Sequence, residues 1–327
     1  MAYETTLRPR PPYSLALSAR MKSDATRYFR DGVLTVALEA GGSPALARVR
    51  QRPDGTLAVG VDTVQPEAAV EKLRFVLAVE DDHEPFLRRF ADDPLLAGAL
   101  RRLRGLRPLR TATVTHSLLK AVCGQLIQAK AARLLEARLL RFAGKPLGEL
   151  RLPPTRATFG GHSTALLARE GLVARKANAL VRISREWDLE RLHGVETVVA
   201  ASRIERERGL GPWSAGMVCL YGLGRFEHGL VGDLGLIKLC SSLLGRRAEA
   251  EDTQALLEPY GEWAGLASVY LLAGGTADEP SGLRRSTTPA ASAPAPTRKR
   301  SRSGKPVKGR SPAGAGTAPL WPAATGG

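Results

Sequence analysis

The chain has 327 residues, 43% hydrophobic and 24% charged, with 48 Lys and Arg against 32 Asp and Glu and a formal net charge of +16. That length suffices for two domains with cores of their own, and the charge points to a polyanionic partner, nucleic acid first, against the plainer reading of a general arginine surplus. Cys123, Cys219 and Cys240 have no paired spacing, no apolar run reaches the roughly 18 residues of a membrane span, and MAYETTLRPRPPY has no hydrophobic signal core, which argues against a disulfide framework, zinc or iron–sulfur centres and a membrane protein, and for a cytoplasmic one.

The first 80 residues or so read as strands. Val33 to Leu38 alternates apolar and polar positions, and two short runs flank Pro53-Asp54-Gly55, a hairpin signal. Helical spacing follows in PEAAVEKLRFVLAV and EPFLRRFADDPLLAGALRRL. From Thr111 the chain turns strongly helical, with Gly124 marking a break between two helices, and short helical pieces joined by Gly and Pro turns continue to Gly274. After Gly275 the composition shifts to Pro, Ala, Ser and Gly with nine Lys and Arg against two Asp and Glu, too little apolar surface to offset the entropy of ordering. An α+β chain is expected: a strand-rich N-terminal α+β domain over residues 1–110, a helical domain over 111–275 and a disordered basic tail over 276–327. The tail either adds salt-sensitive affinity for nucleic acid or is a tolerated extension.

The densest information lies in GLGPWSAGMVCLYGLGRFEHGLVGDLGLIK, Gly209 to Lys238. One helix ends before Gly209, and Pro212 suits the first turn of the next, where its missing N–H is not needed. Gly209-Leu210-Gly211 is then a tight hairpin whose backbone N–H groups can take a phosphate without regard to sequence, although a bare helix–helix turn has the same residues. It is not a dinucleotide fingerprint, since no strand precedes it and no third glycine falls at the right offset. Asp233, the one acid between Glu227 and Glu249, stands twenty residues after Trp213. On its own it reads as a cap for the helix after it, or as a carboxylate placed for chemistry.

The hairpin, the Pro-Trp after it and the spacing to GDLGLIK resemble the helix-hairpin-helix DNA glycosylase superfamily, above all its bacterial 3-methyladenine DNA glycosylase II branch. The likeness extends to LLKAVCGQLIQAKAARLLEARL and EPYGEWAGLASVYLLAG and covers roughly residues 11 to 274. It implies an enzyme of base excision repair that flips a damaged nucleotide out of double-stranded DNA and hydrolyses its N-glycosidic bond. In that correspondence Asp233 is the catalytic carboxylate, stabilising the oxocarbenium-like sugar or orienting water. Trp213 occupies the place where lyase members carry a Schiff-base lysine, so the chain is expected to be monofunctional and to act on alkylated purines of the 3-methyladenine and 7-methylguanine type, with the indole stacking on a cationic base.

The same correspondence places Trp213, Met217, Tyr270 and Leu272 at the base pocket, Gln125 and Leu126 at the wedge that fills the emptied stack, and Gly209, Leu210, Gly211, Pro212, Ser214 and Lys238 against the DNA backbone. It also gives the carbonyls of Glu205, Glu207 and Leu210 to a structural monovalent cation; no other cofactor is implied, and a monomer at the nucleoid is expected. The sequence departs from the branch at Met217, where a tyrosine is usual, and at Leu272, where a tryptophan is. A non-catalytic DNA-binding protein built on the same hairpin and a glycosylase for deaminated bases stand as alternatives, and a helix-turn-helix regulator explains neither the hairpin glycines nor Asp233.

Overall fold

The computed structural model describes residues 3–19 and 24–274; the basic tail expected over 276–327 lies outside them. Five strands, β1 (Tyr3–Leu7), β2 (Arg27–Arg30), β3 (Val33–Ala40), β4 (Ser43–Gln51) and β5 (Leu57–Asp62), form one antiparallel sheet in the order β1-β5-β4-β3-β2. The expected hairpin joins β4 to β5, with the Asp54 carboxylate accepting from the Thr56 N–H at 3.0 Å and its hydroxyl at 2.6 Å. The alternation read at Val33 to Leu38 is the pleat of β3: Leu34, Val36 and Leu38 point into the core, beneath Ala69, Leu73, Val76 and Leu77 of α2 (Pro66–Leu77), after the short α1 (Leu15–Ala19).

The rest is helical: α3 (Glu84–Arg89), α4 (Ala97–Arg102), α5 (Val114–Gly124), α6 (Ala129–Ala143), α7 (Arg156–Gly160), α8 (Thr164–Arg169), α9 (Ala174–Glu186), α10 (Thr197–Glu205), α11 (Pro212–Met217), α12 (Leu234–Leu244), α13 (Ala250–Leu257) and α14 (Ala264–Gly274). This bears out the α+β class. One detail departs from the all-helical reading after Thr111: β6 (Pro146–Leu147) pairs with β7 (Leu150–Arg151) through a turn at Gly148, whose φ is +57°. Two-residue strands carry no periodicity to read.

Helix α5 is the axis of this part. Nearly every residue from Val114 to Cys123 is buried, and Leu118, Leu119 and Val122 share one core with Leu180 and Ile183 of α9 and Ala215 of α11. A separate core joins Phe86 and Leu100, from α3 and α4, to Leu266, Tyr270 and Leu271 of α14 and Leu236 of α12. The three cysteines are free and buried, as small apolar residues. Among the described residues no helix is long and apolar enough to cross a membrane.

Candidate active site

Two helix–helix turns meet at the site. The first leads from α5 to α6, beginning where α5 stops at Gly124. A Cβ on Gly124 would lie 2.6 Å from Trp213 Cη2, so glycine here lets the indole lie against the helix. Leu126 follows in the left-handed region at φ +58° and is 82% exposed. Gln125, expected beside it as a second wedge residue, is engaged inside the protein. Its amide nitrogen donates to the Gly209 carbonyl at 2.7 Å and to Ser214 Oγ at 3.1 Å, while its backbone carbonyl accepts from Lys176 Nζ at 2.7 Å.

The second turn leads from α10 to α11. Gly209 has φ +93°, which favours glycine. Gly211 has an ordinary extended backbone, φ −145° and ψ −171°, and no side-chain hydrogen bond caps the helix there. A Cβ at either glycine would meet nothing within 4 Å. Leu210 between them is buried, whereas Pro212, at the first position of α11, is exposed, as are Arg206 and Arg208. The Glu207 carbonyl accepts the Leu210 N–H at 2.9 Å. The turn therefore presents bare backbone just after two exposed arginines.

Beyond α11 the helix widens into a π-helical turn over Val218–Leu223, a form that recurs at functional sites. The chain then returns to Asp233, which caps α12: Oδ1 accepts the Gly235 N–H at 2.7 Å. Its other oxygen, Oδ2, accepts from Trp213 Nε1 at 2.9 Å. Both roles read from the sequence for Asp233 are thus compatible, since each oxygen keeps a lone pair after one bond. The carboxylate is held on two sides and half-buried.

Met217 follows Trp213 by one turn, half-buried in the same core. Leu272 also comes to the site: a Cβ on Gly235 would overlap it. Tyr270 does not. It is fully buried among α3 and α4, 5.6 Å from the Phe86 ring, with its hydroxyl 3.4 Å from the Leu106 carbonyl. The reason is spacing: Tyr270 and Leu272 lie 200° apart around a helix, so one faces the core and the other Asp233. Lys238 is exposed on α12, one turn past Asp233.

Sequence reasoning missed Tyr221. It lies two turns after Trp213, half-buried against the same core as Trp213 and Met217. Burial pushes its pKa up to about 12, with Lys120 opposing and Asp233 adding to the rise, so it stays a phenol. The only signal was its spacing of four from Met217. Two surface clefts of about 440 and 420 Å³, beside Arg10 and over β4 and β5, involve none of these residues.

No family model matches the chain. It is 26% identical over 254 residues to the "Probable bifunctional transcriptional activator/DNA repair enzyme AlkA" of Mycobacterium tuberculosis, in strain H37Rv as in CDC 1551 / Oshkosh. That match takes in 74% of this chain and 50% of the relative, so the chain spans about half the length of those relatives. It is 22% identical over 277 residues to the "DNA-3-methyladenine glycosylase" of Bacillus subtilis, covering 79% of this chain and 91% of that one. Among solved structures, the 3-methyladenine DNA glycosylase from Archaeoglobus fulgidus has a TM-score of 0.73 at 22% identity, covering 82% of this chain and 97% of its own. An 8-oxoguanine glycosylase/lyase from Clostridium acetobutylicum, in complex with double-stranded DNA, has a TM-score of 0.69 at 17% identity over 84% and 97% of the two chains. The likeness to DNA glycosylases read from the hairpin thus extends over most of the chain, and the fold is common to both kinds of enzyme.

Proposed function

We propose that the protein is a monofunctional DNA glycosylase of base excision repair, acting in the cytoplasm on double-stranded DNA and removing alkylated purines by hydrolysis. The observation that carries this is the carboxylate of Asp233, fixed between the Gly235 N–H and the indole N–H of Trp213, on the helix that follows the bare hairpin. When the C1′–N bond of a flipped nucleotide breaks, its electron pair leaves with the base and the sugar becomes cationic. A carboxylate already oriented by two donors stabilises that charge without reorganising. Water adds to C1′ and loses a proton, leaving an abasic site. Alkylation at a ring nitrogen makes the base cationic and a better leaving group, so no second carboxylate is needed as acid.

Trp213 stands where a lyase needs an amine. Its nitrogen is an indole donor engaged with Asp233, with no basic lone pair to form a Schiff base. Gly211 supports the DNA-facing role of the turn, because neither its backbone conformation nor any neighbour in the protein requires a glycine. Close approach of a phosphate supplies that requirement, and exposed Lys238 adds charge nearby. The carbonyls of Glu205, Glu207 and Leu210 suit a monovalent cation, since the one already bonded, that of Glu207, keeps a second lone pair. Such an ion would offset phosphate charge at the turn.

Capping α12 needs only one oxygen of Asp233 and a neutral cap would serve it as well, whereas a charge that repels phosphate is a cost in a protein that only binds DNA, which sets this reading above that of a non-catalytic binder. The test is release of 3-methyladenine and 7-methylguanine from methylated duplex DNA. Asp233→Asn is expected to lower release about 10²–10³-fold with DNA affinity retained. Full activity in that variant, or no release by the unaltered protein, overturns the proposal.

A further inference from the structure

Helix α9 runs past both turns of the site and holds each by one cation. Arg182 pairs with Glu207, just ahead of Gly209, at 2.5 Å. Lys176, earlier on the same helix, donates to the Gln125 carbonyl at 2.7 Å, one residue before Leu126. Each clasp joins the helix to the chain immediately before the exposed part of a turn.

The two cations differ in one respect. Arg182 has a carboxylate partner, whereas Lys176 makes no ion pair among the described residues. Burial lowers the pKa of its ammonium; the Cys123 thiol opposes this and Arg175 adds to it, and no carboxylate takes part. Lys120 on α5 shows the ordinary arrangement for a lysine drawn into the protein. Its ammonium is 2.7 Å from Glu136 Oε1 and 3.4 Å from Asp24 Oδ2, and Glu136 also bonds His116 Nε2 at 2.8 Å. Two carboxylates match its charge there, as burial of a charge requires.

The plain reading of Lys176 is a cap. Gln125 follows the last residue of α5, and a cation at that end suits the helix dipole and the carbonyls that the helix leaves unbonded. A cap occupies one of the three protons of an ammonium, however, and leaves its charge unmatched. Arg175 next to Lys176, and Lys130 soon after Leu126, are exposed and add positive charge. Leu126 itself stands 82% exposed at the same turn. The counter-charge for this half-buried lysine therefore lies outside the protein, on whatever covers Leu126.

We infer that Lys176 binds a phosphate of the DNA duplex while it holds the Gln125 carbonyl, and so ties insertion of Leu126 to the grip on the backbone. The inference rests on the reading of Leu126 as the residue that fills the emptied stack. The leucine side chain enters the stack, and the ammonium, one residue behind it at the base of the turn, is left at the depth of the sugar–phosphate chain. Each contact supports the other. A phosphate on Nζ fixes the lysine and, through the Gln125 carbonyl, the height of Leu126. A leucine seated in the stack brings the backbone to Lys176. Gln125 passes the same restraint to the hairpin through Gly209 and Ser214.

The test reads binding, independently of base release. The full chain is titrated with a duplex carrying an abasic analogue over a series of chloride concentrations. Lys176→Met is expected to weaken binding about tenfold at low salt and to lower the slope of log affinity against log salt by about one, the share of one phosphate. Lys176→Arg, which keeps the charge and the donors, is expected to keep the parental slope. In a double-mutant cycle with Leu126→Asn, the combined loss is expected to fall short of the product of the single losses by about threefold or more, because without the wedge the phosphate is not brought to the ammonium. Melting temperatures are measured alongside, since a cap alone gives a less stable Lys176→Met with an unchanged slope. An unchanged slope, a slope lowered equally in Lys176→Arg, or losses that simply multiply overturns the inference. A slope lowered by Lys176→Met in a protein that releases no alkylated base overturns the proposed reaction and leaves this contact standing.

Discussion

The two turns that meet at the site solve opposite problems. The turn after α5 puts a leucine in the left-handed region and leaves it 82% exposed, two local costs in one residue. The turn after α10 uses glycines and leaves open space around them. A leucine held out in a strained conformation has a use only if something apolar covers it, as a base stack does once a nucleotide has left. Glycines with nothing beside them have a use only if something comes close to the backbone. One turn inserts and the other cradles, and Gln125 ties them at a fixed separation through the Gly209 carbonyl and Ser214.

This contrast can be broken most sharply at Leu126. Asparagine tolerates the left-handed region and removes the exposed apolar surface, so Leu126→Asn is expected to match or exceed the parent in stability. Base release should nevertheless fall about a hundredfold, since unstacking costs a few kcal/mol per step without a wedge. A variant that is both less stable and fully active would contradict the assignment. The glycines are separated next. Gly209→Ala and Gly211→Ala should each weaken binding to undamaged duplex about tenfold. Only the first should lose about 1 kcal/mol in urea unfolding, because only Gly209 has a positive φ. Equal stability losses would mean that Gly211 also serves the fold. A smaller effect is expected at the latch: Gln125→Ala should cost about 1–2 kcal/mol of stability and slow base release with little change in duplex affinity, as the turns lose their common spacing.

How much of this was legible in the sequence depended on how local each contact is. The hairpin, Pro212 and the distance from Trp213 to Asp233 lie within thirty residues and could be read as a pattern. The Trp213–Asp233 hydrogen bond follows from that pattern only after folding. Tyr270 and Leu272 were not separable, because α14 is apolar on every side and its sequence does not show which face meets the site. The π turn was hidden, since MVCLYGLG reads as an α-helix. The cluster at Lys120 was not read: Asp24 comes from a segment about a hundred residues away, His116 and Glu136 lie on successive helices with no motif to mark them, and the one trace was a lysine in the apolar run SLLKAVCG.

That cluster gives the smallest expected effect and the clearest sign. Burial would raise the pKa of Asp24, but Lys120, Arg27, His116 and the Thr26 hydroxyl outweigh it and hold the carboxyl well below the ordinary range. For Glu136 burial is likewise outweighed, first by Lys120 and then by His116. A carboxylate whose folded pKa is depressed stabilises the fold above its unfolded pKa and loses that contribution as pH falls through the folded value. Stability should therefore be insensitive to these two groups from pH 7 to about 5 and decline below the usual carboxylate range near pH 4. Lys120→Met should shrink that decline, since the carboxylates then lose the cation that lowers their pKa values. An acid limb of unchanged slope in urea unfolding of the variant would show that Lys120 does not govern them.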